Sequence, residues 1–277
     1  HRQTEFRRSN VIPAPIQHPE KWGPRVVRDM PLEMVLKSLN INELYRLSWG
    51  AKNSHGPEWE KLQREFDARL EWMTREALRD GWLKPQAIYG LFPCQADGDD
   101  LIIYNPASLT GTPDALTRFH FPRQPHDDHL ALSDYFAPVG SGQIDVVGFQ
   151  VVTVGHAASE RFDKLQTESN YSEGYFTHGL AVQTAEATAD YLHQHVRREM
   201  GIPEGQGKRY SWGYPAIPEL EDHRKVFDLL PVEKELGMQL SAAYQLIPEQ
   251  STAAIVLHHA QAKYYSTGES RVEQLMK

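Results

Sequence analysis

The order of periodicities along this chain predicts an α+β fold, a predominantly antiparallel twisted sheet with helices packed around it. Helix-like segments come first, then a block of strand-like runs, then helices, then strands, and no βαβα alternation of the kind that builds a parallel sheet appears. The strand-like runs follow one another through short connections, one of them the turn Asp97-Gly98-Asp99-Asp100, and that favours antiparallel neighbours. With 277 residues, 40% hydrophobic and 24% charged, the chain is long enough for a substantial core and has an ordinary globular composition.

Residues 1–24 combine Arg2, Arg7 and Arg8 with Pro13, Pro15, Pro19 and Pro24 and show little periodicity. They read as a linker or surface arm, a tether to a preceding domain, with residues 25–277 forming a single module. The first residue is His1 rather than Met, which reads as a processed chain or an excised piece of a longer one. Pro31 to Leu39 and Ile41 to Leu47 are expected as short helices around a break at Asn40. Pro57 to Trp82 is the clearest early helix, because Trp59, Leu62, Phe66, Leu70, Met73 and Leu78 fall near helical spacing and Gly81 supplies a stop. Ala87 to Phe92, Leu101 to Tyr104, Ala115 to Phe121 and Ile144 to Val154 are strand-like, rich in β-branched, aromatic and aliphatic residues. Glu168 to Met200 reads as one long helix whose apolar stripe is Leu180, Ala181, Ala185, Ala187, Leu192 and Val196. Glu219 to Leu236 reads as another, opened by Pro218 and closed by Gly237. Ile255 to His258 and Ala262 to Tyr265 are expected to close the sheet, and Arg271 to Lys277 to begin a last helix.

Composition excludes several classes of function. A net charge of −8 argues against nucleic acid or an anionic membrane as partner, and no apolar run is long enough to span a bilayer. The lone Cys94 leaves no intrachain disulfide and no cysteine-based zinc site, so a reducing, cytoplasmic location is expected. His120, His126, Asp127, Asp128 and His129 crowd together, but Pro122, Pro125 and the acidic pair mark a solvated loop rather than a metal site. Adjacent His258 and His259 would point to opposite faces of a strand. Gly140-Ser141-Gly142 precedes a strand and lacks the third glycine of a dinucleotide fingerprint.

Recognition chemistry concentrates in Arg209-Tyr210-Ser211-Trp212-Gly213-Tyr214-Pro215-Ala216-Ile217-Pro218. Gly213, Pro215 and Pro218 fix the backbone and the aromatics anchor it, so a rigid extended loop presents Arg209 and Tyr214. Asp134 sits among aromatic and apolar residues, where a buried carboxylate needs a partner. Glu186 lies between Ala185 and Ala187, small neighbours that leave room for a ligand or for another helix. Tyr264 and Tyr265, on an expected strand, would alternate in direction.

These stretches, taken together and in order, resemble the C-terminal activation (reactivation) domain of cobalamin-dependent methionine synthase. Arg209 to Pro218 is similar to that family's R-x-x-x-G-Y-x-A-C-P signature, and Phe119 to Gln124 to F-x-F-x-R-Q. Leu132 to Pro138 resembles L-x-D-F/Y-x-A-P, and Gly90 to Pro93 with Gly98-Asp99-Asp100 resembles G-x-x-P-A…G-D-D. Ala185-Glu186-Ala187 with Leu192, His193 and Arg197 resembles A-E-A…L-H-x-x-x-R, and Gly237 to Ser241 resembles G-M-x-L-T/S. The likeness runs over about residues 25 to 276. Ile217 stands where the signature has cysteine, and Tyr244 to Ser251 replaces a Trp-Pro-Gly-Ala segment of many members.

The resemblance implies a module that binds S-adenosylmethionine through Asp134, Arg209, Tyr264 and Tyr265, with Glu186, Tyr214 and Ala216 beside them. It implies no general acid or base, since the sulfonium is already activated and the cobalt of cobalamin is the nucleophile. Cobalamin would be held by a preceding domain of the same polypeptide, flavodoxin or a flavodoxin-like reductase would deliver the electron, and any zinc would lie outside this chain. The whole enzyme would be a methyltransferase that carries a methyl group from methyltetrahydrofolate to homocysteine. Two other readings compete with it, a free-standing reactivase acting on another corrinoid protein in trans and a non-catalytic interaction module that takes no small ligand.

Overall fold

The computed structural model describes residues 9–268. The expected last helix at 271–277 and the arm residues Arg2, Arg7 and Arg8 lie outside the described residues. Among those described, seven antiparallel strands form one sheet with the path β4-β3-β2-β5-β9-β6, β1 being laid beside β2. The strands are β1 (Gly23–Val27), β2 (Gln86–Asp97), β3 (Asp100–Tyr104), β4 (Ala115–His120), β5 (Asp145–Thr153), β6 (Lys208–Ser211) and β9 (Ser251–Leu257). A separate ribbon joins β7 (Gln239–Leu240) to β8 (Leu246–Ile247). β2 holds the sheet together. One edge pairs with β5 from Gln86 to Cys94, and the other is shared between β1 and, from Cys94 to Asp97, β3. The Asp97-to-Asp100 turn forms as expected, with Asp97 opposite Asp100.

The helices are α1 (Leu32–Leu36), α2 (Ile41–Glu43), which runs into a π-helical turn at Leu44–Ser48, α3 (Gly56–Asp80), α4 (His156–Thr167), α5 (Tyr171–Glu199), α6 (His223–Leu229) and α7 (Val232–Leu236). Gly81 ends α3 in a left-handed conformation at φ 69°. One sheet face carries Phe92, Phe119, Phe149, Ile255 and Trp212 into the main core. The other carries Tyr89, Leu91, Val146, Val152 and Val256 against Ala187, Leu192 and Val196 of α5. Both faces are therefore covered, and β5 is buried along its whole length. Burying Leu192 or Val196 in this way contributes about 1.5–3 kcal/mol each.

Four expectations are corrected. The long helix expected from Glu168 starts three residues later, at Tyr171, because Ser169 takes a positive φ of 58°, and an unexpected helix, α4, precedes it. α4 escapes sequence reading because its apolar stripe is thin, only Ala158 being buried. The helix expected over Glu219 to Leu236 is broken at Leu230, which is extended ahead of Pro231, as a residue before proline prefers. The closing strand is longer than expected and starts at Ser251, whereas Ala262 to Tyr265 is not a strand at all. The arm also gives way to β1 at Gly23, and its irregular residues are tied down: Ser9 Oγ donates to Asp134 Oδ2 (2.7 Å), His18 Nε2 meets the Ile144 carbonyl (2.8 Å) and His259 Nε2 the Ile12 carbonyl (2.6 Å).

Candidate functional site

The site begins at the edge of the sheet. Arg209 opens the recognition stretch on β6, where Arg209 pairs with Val256 and Ser211 with Ala254 of β9, so its first residues are strand rather than free loop. Past Ser211 the chain turns back on itself. The Gly213 amide donates to the Ile217 carbonyl (2.9 Å) and the Ile217 amide to the Tyr214 carbonyl (3.0 Å). Gly213 sits at φ 89°, a conformation closed to side chains. Trp212 anchors the turn beneath, its ring centroid 5.9 Å from that of Phe119. Ile217 is buried in the same core. It fills a position that a free cysteine would occupy as a small hydrophobe, so the missing thiol leaves packing intact.

The segment after β9 closes the other side. The Thr267 amide (3.1 Å) and hydroxyl (2.9 Å) both donate to the Pro215 carbonyl, and the Tyr264 hydroxyl donates to the Arg209 carbonyl (3.1 Å). Tyr210 donates to the Lys263 carbonyl (2.6 Å) and packs edge-on to Tyr264, with ring centroids 5.3 Å apart. Because this segment is irregular, strand alternation does not separate the two tyrosines, and both face one space.

That space is a cleft of about 530 Å³, within the size range of small-molecule sites. Glu186 of α5, Arg209, Tyr214, Ala216, Tyr264 and Tyr265 all line it, as do Tyr210, Ser211, Pro215 and Ser266. Tyr214 and Tyr264 are exposed at its rim. Tyr265 is its floor, with a buried hydroxyl that has no hydrogen-bond partner among the described residues. Ser211 was legible, since it shares a strand face with Arg209. Tyr210 and Ser266 carried no signal of their own. None of residues 244–250, where the chain departs from the family pattern, lines the cleft.

Asp134 is not on the lining. Its carboxylate receives the Arg123 guanidinium at 2.7 and 2.8 Å, the Ser9 hydroxyl, and the Ala131 amide at 3.2 Å. Burial alone would raise its pKa, but these hydrogen bonds outweigh burial and hold it below the usual carboxylate range.

The cleft is acidic on its α5 side. Burial pushes the Glu186 carboxyl up, Arg209 opposes the shift, and Asp190 and Glu43 reinforce it. Glu186 in turn is the main cause of an upward shift at Tyr214, which places the two groups within electrostatic reach across the cleft. Arg209 Nη1 binds Asp190, and Nη2 lies 3.5 Å from Glu186. A guanidinium fork, a neutralisable carboxylate and several tyrosine faces together suit a zwitterionic ligand with a cationic or aromatic body. Among the described residues no group of three His, Cys, Asp or Glu side chains could hold a metal, and no helix is long and apolar enough to cross a membrane.

Known proteins resemble this chain in sequence and fold. A family profile described as vitamin B12 dependent methionine synthase, activation domain, matches residues 51–277. A methionine synthase of Mycobacterium tuberculosis is 33% identical over 278 residues, which cover 90% of this chain and 23% of that protein. One from Mycobacterium leprae is 31% identical over the same length and the same shares. The chain thus spans 23% of the length of these curated relatives. Among solved structures, a crystal structure of the MetH reactivation domain bound to AdoHcy superposes with a TM-score of 0.82 at 25% identity, over 95% of this chain and 87% of that one.

Proposed function

The chain belongs to the vitamin B12-dependent methionine synthase activation-domain family, and on that premise we propose that its cleft binds S-adenosylmethionine and presents the methyl group to a cobalamin carried by a preceding domain. The observation that carries this reading is convergence. Glu186, Arg209, Tyr214, Ala216 and the Tyr264–Tyr265 pair come from separate parts of the chain and line one cleft. Their chemistry matches the ligand group by group. Arg209 pairs bidentately with the α-carboxylate. Glu186 takes the α-ammonium. The tyrosine faces suit the sulfonium and the adenine, as aromatic rings suit cations and other rings. The turn locked by Gly213, Pro215 and the Thr267 hydrogen bonds holds these contacts before the ligand arrives, which lowers the ordering cost of binding. Asp134, off the lining, fixes Arg123.

When bound by its own domain, the cobalamin supplies the nucleophilic metal that accepts the methyl group. This chain supplies placement and needs no proton transfer. The parent polypeptide is a methionine synthase that moves a methyl group from methyltetrahydrofolate to homocysteine, with a flavodoxin-like reductase as electron source, zinc in another domain and the cytoplasm as location. The arm that precedes β1 connects the module to the cobalamin domain.

Thermal unfolding with and without S-adenosylmethionine or S-adenosylhomocysteine tests the reading, because a ligand that binds only the folded state raises the midpoint by mass action. Both compounds are expected to do so. Calorimetric titration of Arg209→Ala is expected to show affinity down at least about tenfold, the loss of a charge-assisted hydrogen bond, with the unliganded fold retained. No stabilisation of the wild-type chain at millimolar ligand would end the proposal, and unchanged affinity in Arg209→Ala would remove that residue from the site.

A further inference from the structure

In this structure Arg209 already holds an anion. Its Nη1 is bound to Asp190, and Glu186 lies 3.5 Å from Nη2. Glu186 and Asp190 are four residues apart on α5, so they share a helix face and repel one another. Arg209 relieves that repulsion, yet the three side chains differ in freedom. Arg209 is 15% exposed, Glu186 32% and Asp190 51%. Asp190 is the member that moves at least cost.

Asp190 also has somewhere to go. It lines a second, polar cleft of about 780 Å³ together with Lys37, His193, Arg197 and Arg198 and one other acid, Glu204, so three fixed cations there face two carboxylates. Arg197 there donates to the Pro203 carbonyl (2.8 Å), and none of Lys37, Arg197 and Arg198 has an acidic partner among the described residues. Burial, with Arg209, Arg197 and Lys208 around it, pushes His193 down to about 3, so the positive charge of this cleft comes from the lysine and the arginines.

We propose that Asp190 is an internal stand-in for the α-carboxylate of the ligand, holding the Arg209 guanidinium in the unliganded cleft and surrendering it to an incoming amino-acid tail. The inference rests on the site reading given above. In the exchange the ligand carboxylate takes the Arg209 fork, the ligand ammonium replaces Arg209 as partner of Glu186, and Asp190 turns to the cations of the second cleft. Charge is balanced before and after. The device also selects among ligands, because an adenosyl thioether without an amino-acid tail has no carboxylate with which to displace Asp190.

The test is calorimetric titration of wild type, Asp190→Ala and Asp190→Asn with S-adenosylmethionine, S-adenosylhomocysteine and 5′-methylthioadenosine. Removing a half-exposed competing partner is expected to tighten both amino-acid ligands by about two- to fivefold in Asp190→Ala. The gain should be smaller in Asp190→Asn, whose amide oxygen still accepts from Arg209. Affinity for 5′-methylthioadenosine should stay unchanged, and the gain should vanish when Arg209→Ala is added to Asp190→Ala. If wild type binds S-adenosylmethionine and both variants bind it equally or more weakly, the stand-in role is wrong while the site reading survives. If wild type binds neither amino-acid ligand, both fall together.

Discussion

Arg123 and Arg209 each sit between two carboxylates, and they serve opposite ends. Arg123 spends its whole guanidinium. Nε and Nη2 donate to Asp99 (2.9 and 2.7 Å), Nη1 and Nη2 to the two oxygens of Asp134 (2.7 and 2.8 Å), and Nη1 also to the His129 carbonyl (2.6 Å). All three side chains are nearly closed to water, at 11% for Arg123, 12% for Asp99 and 7% for Asp134. Arg209 has one firm partner and one at 3.5 Å, and the firm one is half exposed. Identical chemistry therefore gives a fixed corner in one place and a receptor in the other. What separates them is how many donors remain unspent and how freely the partner acid can leave.

Breaking the closed cluster should cost most. Arg123→Ala strands two buried carboxylates, and removing one partner of a buried ion pair typically costs about 3–5 kcal/mol. Urea denaturation at neutral pH is expected to show a loss of that order. The deficit should shrink in acid. Asp134 is held below its ordinary pKa by Arg123 and Ser9 against the pull of burial. A depressed carboxyl contributes stability above its unfolded pKa of about 3.9, and that stability is lost as pH falls through the lower folded value. Wild type and variant should therefore converge below about pH 4. Near-normal stability of Arg123→Ala at neutral pH would show the cluster to be as open as the one at Arg209.

The same contrast explains what the sequence disclosed and what it hid. The antiparallel sheet was legible because β2, β3 and β5 are rich in aliphatic and aromatic residues, and the Asp97–Asp100 turn fixes the pairing of β2 with β3. α4 was hidden because its one buried residue is an alanine. Four cleft residues were legible because Arg209, Glu186, Tyr214 and Ala216 stand in ordered motifs, and Tyr264 and Tyr265 came only from the position they hold in the resemblance. Which acid pairs with which arginine was not. Asp134 carried a motif match equal to that of Glu186, yet it lies eleven residues from Arg123 and folds onto it, whereas Glu186 reaches Arg209 only through packing of α5 against the sheet. Asp190 could have been found, since a helix puts it one turn beyond Glu186. Its contact with Arg209 could not, because that depends on the docking of α5.

Glu186 gives the open cluster a pH dependence of opposite sign to that at Asp134. Burial raises its carboxyl, only partly opposed by Arg209. A raised carboxyl contributes stability below its unfolded pKa of about 4.3 and loses it as pH climbs through the folded value. A ligand ammonium needs the ionised form, so binding releases a proton in that window. Affinity for S-adenosylmethionine is expected to rise severalfold as pH climbs through the range just above the ordinary glutamate pKa, then to level off. Titration in buffers of different ionisation enthalpy should detect the released proton, and Glu186→Gln should flatten the profile. A flat wild-type profile would place the ammonium elsewhere.

The finest distinction lies between two tyrosines of the cleft wall. The Tyr210 hydroxyl donates to the Lys263 carbonyl, and its removal in Tyr210→Phe should cost about 0.5–1.5 kcal/mol, the usual net worth of such a bond. The Tyr265 hydroxyl is buried on the cleft floor with no partner among the described residues. An unsatisfied buried group carries a desolvation penalty, so Tyr265→Phe should leave the unliganded chain unchanged or stabilise it by up to about 1 kcal/mol. If that hydroxyl is kept for the ligand, the same substitution should weaken S-adenosylmethionine binding while the unliganded midpoint holds or rises. Thermal unfolding and titration of the one variant then read the two effects in opposite directions. A fall in both would make Tyr265 a packing residue, and a fall in neither would leave its hydroxyl without a role at the site.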